Sequence, residues 1–154
     1  MSSPALYLEI IDLAIGDYPG YVADTRHYAS ITGRPDDVAL ADAVAKGWAR
    51  GGKAGLLEGR ARSLKAAYDH GSETGFLLGQ TLVMLGRPKE ALPYFKASLN
   101  SRVIILTVMQ DCPWAKALAK DPGYAALFAE VRARMHGGYP HSPPVVQVSM
   151  RTPN

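Results

Sequence analysis

The stretch Leu78-Gly79, Leu82, Gly86-Arg87-Pro88-Lys89-Glu90-Ala91-Leu92, Phe95 and Leu99 constrains this chain more than any other. It reads as two helices folded back on each other. Gly79 and Ala91 are small where the two backbones would approach closely, and Leu78, Leu82, Phe95 and Leu99 fill the space between them. Gly86 suits a left-handed helix end, and Pro88 suits a first helical turn. Such a hairpin cannot bury its apolar face alone, so it calls for stacked neighbours.

The rest of the chain can supply those neighbours. Its 154 residues suffice for one domain with a sizeable core, and an apolar fraction of 47% is that of a soluble globule. Alanine is abundant and β-branched runs are scarce, which favours helix over sheet. Pro4 opens an apolar segment with Leu6, Ile10, Leu13 and Ala14 on one face, broken by Gly16 and Pro19-Gly20. A second helix is expected from about Tyr21 to Ile31, with Val22, Tyr28 and Ala29 inward, ended by Gly33-Arg34-Pro35. A third spans 36–50, with Val38, Leu40, Ala41, Val44, Ala45 and Trp48 on its apolar side and Gly51-Gly52 as its stop. A fourth spans 54–69 on an inner row of Leu57, Ala61, Leu64 and Tyr68. Ser72 is a candidate N-cap for a fifth that ends near Leu85.

A sixth helix runs from Pro88 to about Asn100, and Pro93 inside it is expected to kink it or shift its start. Residues 103–109 are ambiguous on propensity and read as helix from their surroundings. A short helix follows over 113–120, Asp121-Pro122-Gly123 forms a turn or cap, and 124–135 is a final amphipathic helix. This makes one helical domain over 1–137 and a proline-rich tail over 138–154. The tail reads as an extended surface segment, with a partner-capturing strand or polyproline arm as the alternative.

Charge is unevenly spread about a net of +3. Residues 1–42 carry Glu9, Asp12, Asp17, Asp24, Asp36, Asp37 and Asp42 against Arg26 and Arg34, a net of −5. Residues 43–70 carry Lys46, Arg50, Lys53, Arg60, Arg62 and Lys65 against Glu58 and Asp69, a net of +4. Such asymmetry steers a partner or lets neighbouring helices attract each other.

No motif points to catalysis. His27, His70, His136 and His141 share no metal-ligand spacing. Cys112, the single cysteine, has no base nearby in sequence and reads as a structural thiol beside Pro113 and Trp114. Gly51-Gly52-Lys53 lacks the spacing of a phosphate loop. Asp36 and Asp37 are first-turn partners of a helix dipole. Lys46, Arg50 and Lys53 are the best case for nucleic acid, but the charge is low for that and Trp48 reads as core. With one cysteine, no secretory signal pattern and no membrane-length apolar run, the reading is a cytoplasmic protein without metal, cofactor or membrane.

A register of 34 residues pairs Val44-Ala45, Trp48, Gly52, Leu57 and Leu64 with Leu78-Gly79, Leu82, Gly86, Ala91 and Ser98. On these residues the chain resembles the tetratricopeptide repeat family. Leu78, Gly79, Leu82, Gly86, Ala91 and Phe95 stand on its signature positions. Ser98 stands where alanine is usual, and Gly75 where an aromatic is common. The unit at 38–71 departs further, with Leu57 for the small residue and Ala61 for the aromatic. The segment 118–127 resembles the ending of bacterial arrays, where an Asp-Pro-x-aromatic turn precedes a capping helix. The resemblance covers roughly residues 38–136.

It implies an all-α, right-handed stack of about four antiparallel helix pairs. The first helix of each pair would line a concave groove carrying Asp42, Lys46, Arg50, Glu73, Phe76, Gln80 and Val83. Lys46 and Arg50 would take carboxylates of an extended peptide, and Phe76 an apolar side chain. The family's carboxylate-clamp asparagines have no counterpart, so that specificity is not implied. The alternative filling of the groove is the chain's own N-terminal helices or tail. The reading is thus a non-catalytic protein–protein interaction scaffold or adaptor, free-standing or part of a larger regulator. The second reading is a helical enzyme or small-ligand protein with a site near Trp48, Tyr68 and Phe76.

Overall fold

The computed structural model describes residues 11–109, 115 and 118–136, with residues 100–109 and 136 through their backbone alone. Every element among them is helical, with no strand. Helix α1 contributes residues 11–15, and α2 is Tyr18–Thr32, α3 Pro35–Asp69, α4 Phe76–Met84, α5 Pro88–Met109 and α6 Pro122–His136. The tail over 138–154, Cys112, and Leu6 and Ile10 of the first helix lie outside the described residues. Residues 1–137 were expected as one body; by contact the chain groups into two compact units, Met1–Arg102 and Val103–Asn154.

Helix α2 starts three residues earlier than the sequence suggests. Pro19-Gly20, expected as a break, forms its first turn, where proline lacks only an N–H that the helix would leave unbonded. Asp17 caps it by accepting a hydrogen bond from Gly20 N at 3.0 Å. Left-handed Gly33 (φ 61°) ends it. Tyr21, Val22, Thr25 and Ala29 are buried, and the Thr25 hydroxyl is absorbed by the Tyr21 carbonyl at 2.7 Å.

The third and fourth expected helices are the two arms of α3. They are separated by Gly51 (φ −149°, ψ 24°) and Gly52 (φ 53°, ψ −139°). The Gly52 conformation is open only to glycine. Past this break the chain folds back on itself so tightly that backbones touch. A methyl group on Gly47 would collide with the Gly55 carbonyl oxygen, one on Gly55 with that of Gly47, and one on Gly59 with that of Ala43. His70 Nε2 and Asp36 Oδ1, 3.7 Å apart, bring the two ends of α3 together. Leu13, Tyr21, Val22, Val44, Leu56 and Leu57 form the core against this hairpin, with Tyr18, Leu40, Trp48, Met84 and Leu85 packed around them. Val38, expected inward, is 46% exposed because its position faces away from that cluster.

Ser72 does not cap the next helix; it closes α3. Its backbone N–H and its hydroxyl both donate to the Ala67 carbonyl at 3.0 Å, and Gly71 N donates to Tyr68 O at 3.0 Å. The same paired closure ends α4, with Arg87 N to Leu82 O at 2.8 Å and Gly86 N to Val83 O at 2.9 Å, Gly86 at φ 73°. Gly75, left-handed at φ 90°, begins α4 instead. Gly79 packs on a side chain and not on the opposing backbone: a methyl there would lie 2.9 Å from Phe95 Cε1. Leu78, Leu82, Ala91, Phe95 and Leu99 are buried. Helix α5 begins at Pro88, carries Pro93 on an exposed position, and continues through Met109, so residues 103–109 are helical.

In the second unit Asp121 caps α6, accepting from Gly123 N at 2.8 Å. Ala115, Tyr124, Leu127, Phe128 and Val131 are buried, with the Tyr124 and Phe128 rings 6.1 Å apart. Burial, reinforced by Asp121, raises the Tyr124 hydroxyl above its ordinary pKa.

The backbone contact in α3 makes a contrast testable by urea denaturation. Gly55→Ala meets a carbonyl that cannot move without parting the arms, and should cost about 3 kcal/mol. Gly51→Ala has open space and a negative φ, and should change stability by less than about 1 kcal/mol.

Candidate functional site

The α3 hairpin carries an open cleft of about 310 Å³ on one face. Its floor is Ala43, Gly47, Gly51 and Gly55, and its walls are Lys46, Arg50, Glu58 and Arg62. The floor is bare because the arms meet through glycine. Lys46 and Arg50 come from the first arm at i, i+4, and Arg62 from the second. Among the described residues neither Arg50 nor Arg62 has an acidic partner, and Lys46 reaches only an exposed Asp42 at 3.9 Å. Glu58 is drawn toward Arg87, 3.7 Å away.

A second, larger cleft of about 690 Å³ is lined by the second arm of α3, by α4 and by α5. Ala61, Leu78 and Leu82 form its apolar base, and Tyr68, Pro93 and Tyr94 one side. The two tyrosine rings meet edge to face at 5.1 Å. The cations on its rim are internally matched. Lys65 holds Asp69 at 2.6 Å, and Arg87 holds Glu90 at 2.6 Å. These bonds raise the Lys65 and Arg87 pKa values and lower that of Glu90. Both clefts include Glu58 and Arg62, so they adjoin.

Of the candidate partner-binding residues, the structure brings Lys46 and Arg50 into one cleft, with Asp42 one turn away. Glu73, Phe76, Gln80 and Val83 line neither cleft. Phe76 is withdrawn from binding: it is 8% exposed, its ring 5.8 Å from that of Phe95, so its apolar surface is already spent on the core. Nor do the aromatics of the small-ligand reading converge. Trp48 stacks on Tyr18 at 6.0 Å, Tyr68 meets Tyr94, and Phe76 meets Phe95, in three separate pairs. Sequence spacing did not show Arg62 as a cleft residue, because its neighbours Lys46 and Arg50 lie on the other arm.

Arg60 belongs to neither cleft. It is 4% exposed, and its Nε–H donates to the Tyr21 hydroxyl at 2.8 Å. Its Nη1 donates to the Leu77 carbonyl at 3.2 Å and to the Thr81 hydroxyl, which itself donates to Leu77 O at 2.7 Å. One guanidinium thus ties α2, α3 and α4 together through neutral oxygens. In sequence it counts as one more surface cation.

Of the acidic N-terminal region, Asp42 reaches Lys46 of the cationic cleft, while Asp12, Asp17 and Asp37 line neither cleft. Asp12 and Asp17 carboxylates converge over Gly20. Asp12 is raised above its ordinary pKa by lost hydration first, then by repulsion from Asp24 and Asp17. Asp37 is different. Burial pushes its carboxyl up, but hydrogen bonds from Arg34 Nε at 2.8 Å and the Thr32 hydroxyl at 2.6 Å outweigh that and leave it below the ordinary value.

Among the described residues no three His, Cys, Asp or Glu side chains come together as a metal ion would need. No helix among them is long and apolar enough to cross a membrane. Compared with known proteins, the chain matches no family model, no curated protein and no solved structure.

Two outcomes are expected in denaturation experiments. Arg60→Ala strands the Tyr21 hydroxyl in the core and should cost about 3 kcal/mol. Arg60→Lys keeps the charge but cannot span the same acceptors, and should cost about 2 kcal/mol. Because the Asp37 pKa is lowered on folding, its contribution is complete above the ordinary value of 3.8 and is lost as pH falls through its lower folded value. Wild type should therefore exceed Asp37→Asn by about 1 kcal/mol at neutral pH, and the gap should close below pH 3.8.

Proposed function

We propose that this chain is a non-catalytic interaction module, an adaptor that receives an acidic, extended segment of a partner protein on the cationic cleft of the α3 hairpin. The observation that carries this reading is the cleft itself: among the described residues Arg50 and Arg62 have no acidic partner, and both face a glycine floor beside Lys46. Guanidinium groups bind carboxylates through paired hydrogen bonds, and a floor without side chains lets an extended backbone approach closely.

The tetratricopeptide-like stack of antiparallel helix pairs is part of the same proposal. Its support is the 34-residue register. Gly52 and Gly86 stand at equivalent places between two helices, and both hold positive φ, at 53° and 73°. Val44 and Leu78, Leu57 and Ala91, and Leu64 and Ser98 are matched pairs in that register, and all six are buried. The cleft lies on both arms of one hairpin, whereas the resemblance implies a groove lined by first helices alone.

The test is fluorescence anisotropy with a labelled oligo-glutamate peptide, with oligo-lysine and a single-stranded DNA of equal charge as controls. Wild type should bind the acidic peptide, more weakly as salt rises. Lys46→Glu combined with Arg50→Glu and Arg62→Glu should abolish binding while changing stability by less than about 1 kcal/mol, since all three side chains are exposed. Tighter binding of the DNA would replace the peptide reading with a nucleic-acid one.

A further inference from the structure

Opposite charges one turn apart on a helix ordinarily pair, most favourably when the acid precedes the cation. Asp42 and Lys46 in the first arm of α3 do so at 3.9 Å, Lys65 and Asp69 in the second arm at 2.6 Å, and Glu130 and Arg134 in α6 at 2.6 Å. Glu58 and Arg62 have the same spacing in the favourable order, yet Arg62 has no acidic partner among the described residues. The Glu58 carboxylate turns instead to Arg87, with Oε1 3.7 Å from Nη1. Arg87 lies in the turn between α4 and α5, and Glu90 orients its guanidinium: Nε donates to Oε1 at 2.8 Å and Nη2 to Oε2 at 2.6 Å. Those two bonds occupy one edge of the fork and leave Nη1 for Glu58.

We infer that Arg87 is a positioning residue for the cationic cleft: by holding Glu58 it keeps Arg62 open to a carboxylate of the ligand. This rests on the proposed acidic-segment reading and adds to it a control exerted from the turn between α4 and α5. Among the described residues Glu58 alone brings a carboxylate to the lining of this cleft, and Arg87 lines only the adjoining one. On Arg62, Glu58 would neutralise one of the two guanidinium groups that have no acidic partner and would compete directly with the ligand. On Arg87 it leaves both of them open. Glu58 and Arg87 are well exposed, so solvent screens their attraction and the effect on binding is about threefold rather than orders of magnitude.

The experiment is a double-mutant cycle on the full chain, read as the Kd of the labelled oligo-glutamate peptide by anisotropy. Arg87→Gln should weaken binding about threefold, because Glu58 then pairs with Arg62. Glu58→Gln alone should tighten binding about twofold, because it removes a carboxylate from the cleft. In the Glu58→Gln background, Arg87→Gln should change binding by less than about 1.5-fold. The cycle separates positioning from charge. An Arg87 that touched the peptide itself would matter equally with Glu or Gln at position 58, and a folding defect would not be repaired by Glu58→Gln. Equal weakening in both backgrounds, or no weakening in either, would overturn the role of Arg87 and leave the proposed function standing. Failure of the wild-type chain to bind the peptide would overturn both.

Discussion

The two arms of α3 meet backbone to backbone, and much of the first unit follows from that contact. Gly47, Gly55 and Gly59, with Ala43, let the two arms of α3 touch without intervening side chains. That proximity determines which faces of the arms remain for others. Val44, Leu56 and Leu57 turn to the core with Tyr21 and Val22, while Lys46, Arg50 and Arg62 are left around a floor that has no side chains to fill it. A helix pair joined through larger residues would be spaced farther apart and would close the cleft with its own side chains. The glycines are costly in helices, by about 1 kcal/mol each relative to alanine, and close packing of the arms offsets that cost.

Arg60 supplies the second constraint. A cation inside an apolar core is tolerated only where its N–H groups find acceptors. Here the acceptors come from α2 and α4, through Tyr21, Leu77 and Thr81. The interaction fixes direction as well as distance, because a planar guanidinium must meet its acceptors within its own plane. It therefore sets the rotation of the second α3 arm relative to its two neighbours, which dispersion contacts alone would leave softer. That rotation carries Arg62, two residues on, to the outside where the two clefts meet.

The cations around the two clefts differ in how closely they are already paired. Lys65 in α3 and Arg87 just before α5 each pair with an acid one turn away, Asp69 and Glu90. Near the Gly-Gly break this pattern lapses, since the positions one turn from Arg50 are Lys46 and Ala54. The lapse leaves charge available for another molecule.

Helix positions and ends were legible from local chemistry. Gly33, Gly71 and Gly86 stop helices by adopting positive φ, Asp121 starts one, and the apolar rows through Leu57, Leu64, Leu78 and Leu82 are the buried ones. The errors were also local: Pro19-Gly20 and Ser72 each serve a helix end other than the expected one, because a first-turn proline and a terminal serine suit either role. The site was less legible. Lys46 and Arg50 stand out on one helix, but Arg62 joins them only because the chain reverses at Gly52, and Phe76 leaves them because Phe95 covers it. By itself the sequence determined an all-helical chain, its breaks and its apolar faces, since these depend on residues within a turn or two of one another. Which charges converge, and that Arg60 is core while Arg62 is surface, was decided only by tertiary structure, because those outcomes depend on contacts between segments tens of residues apart.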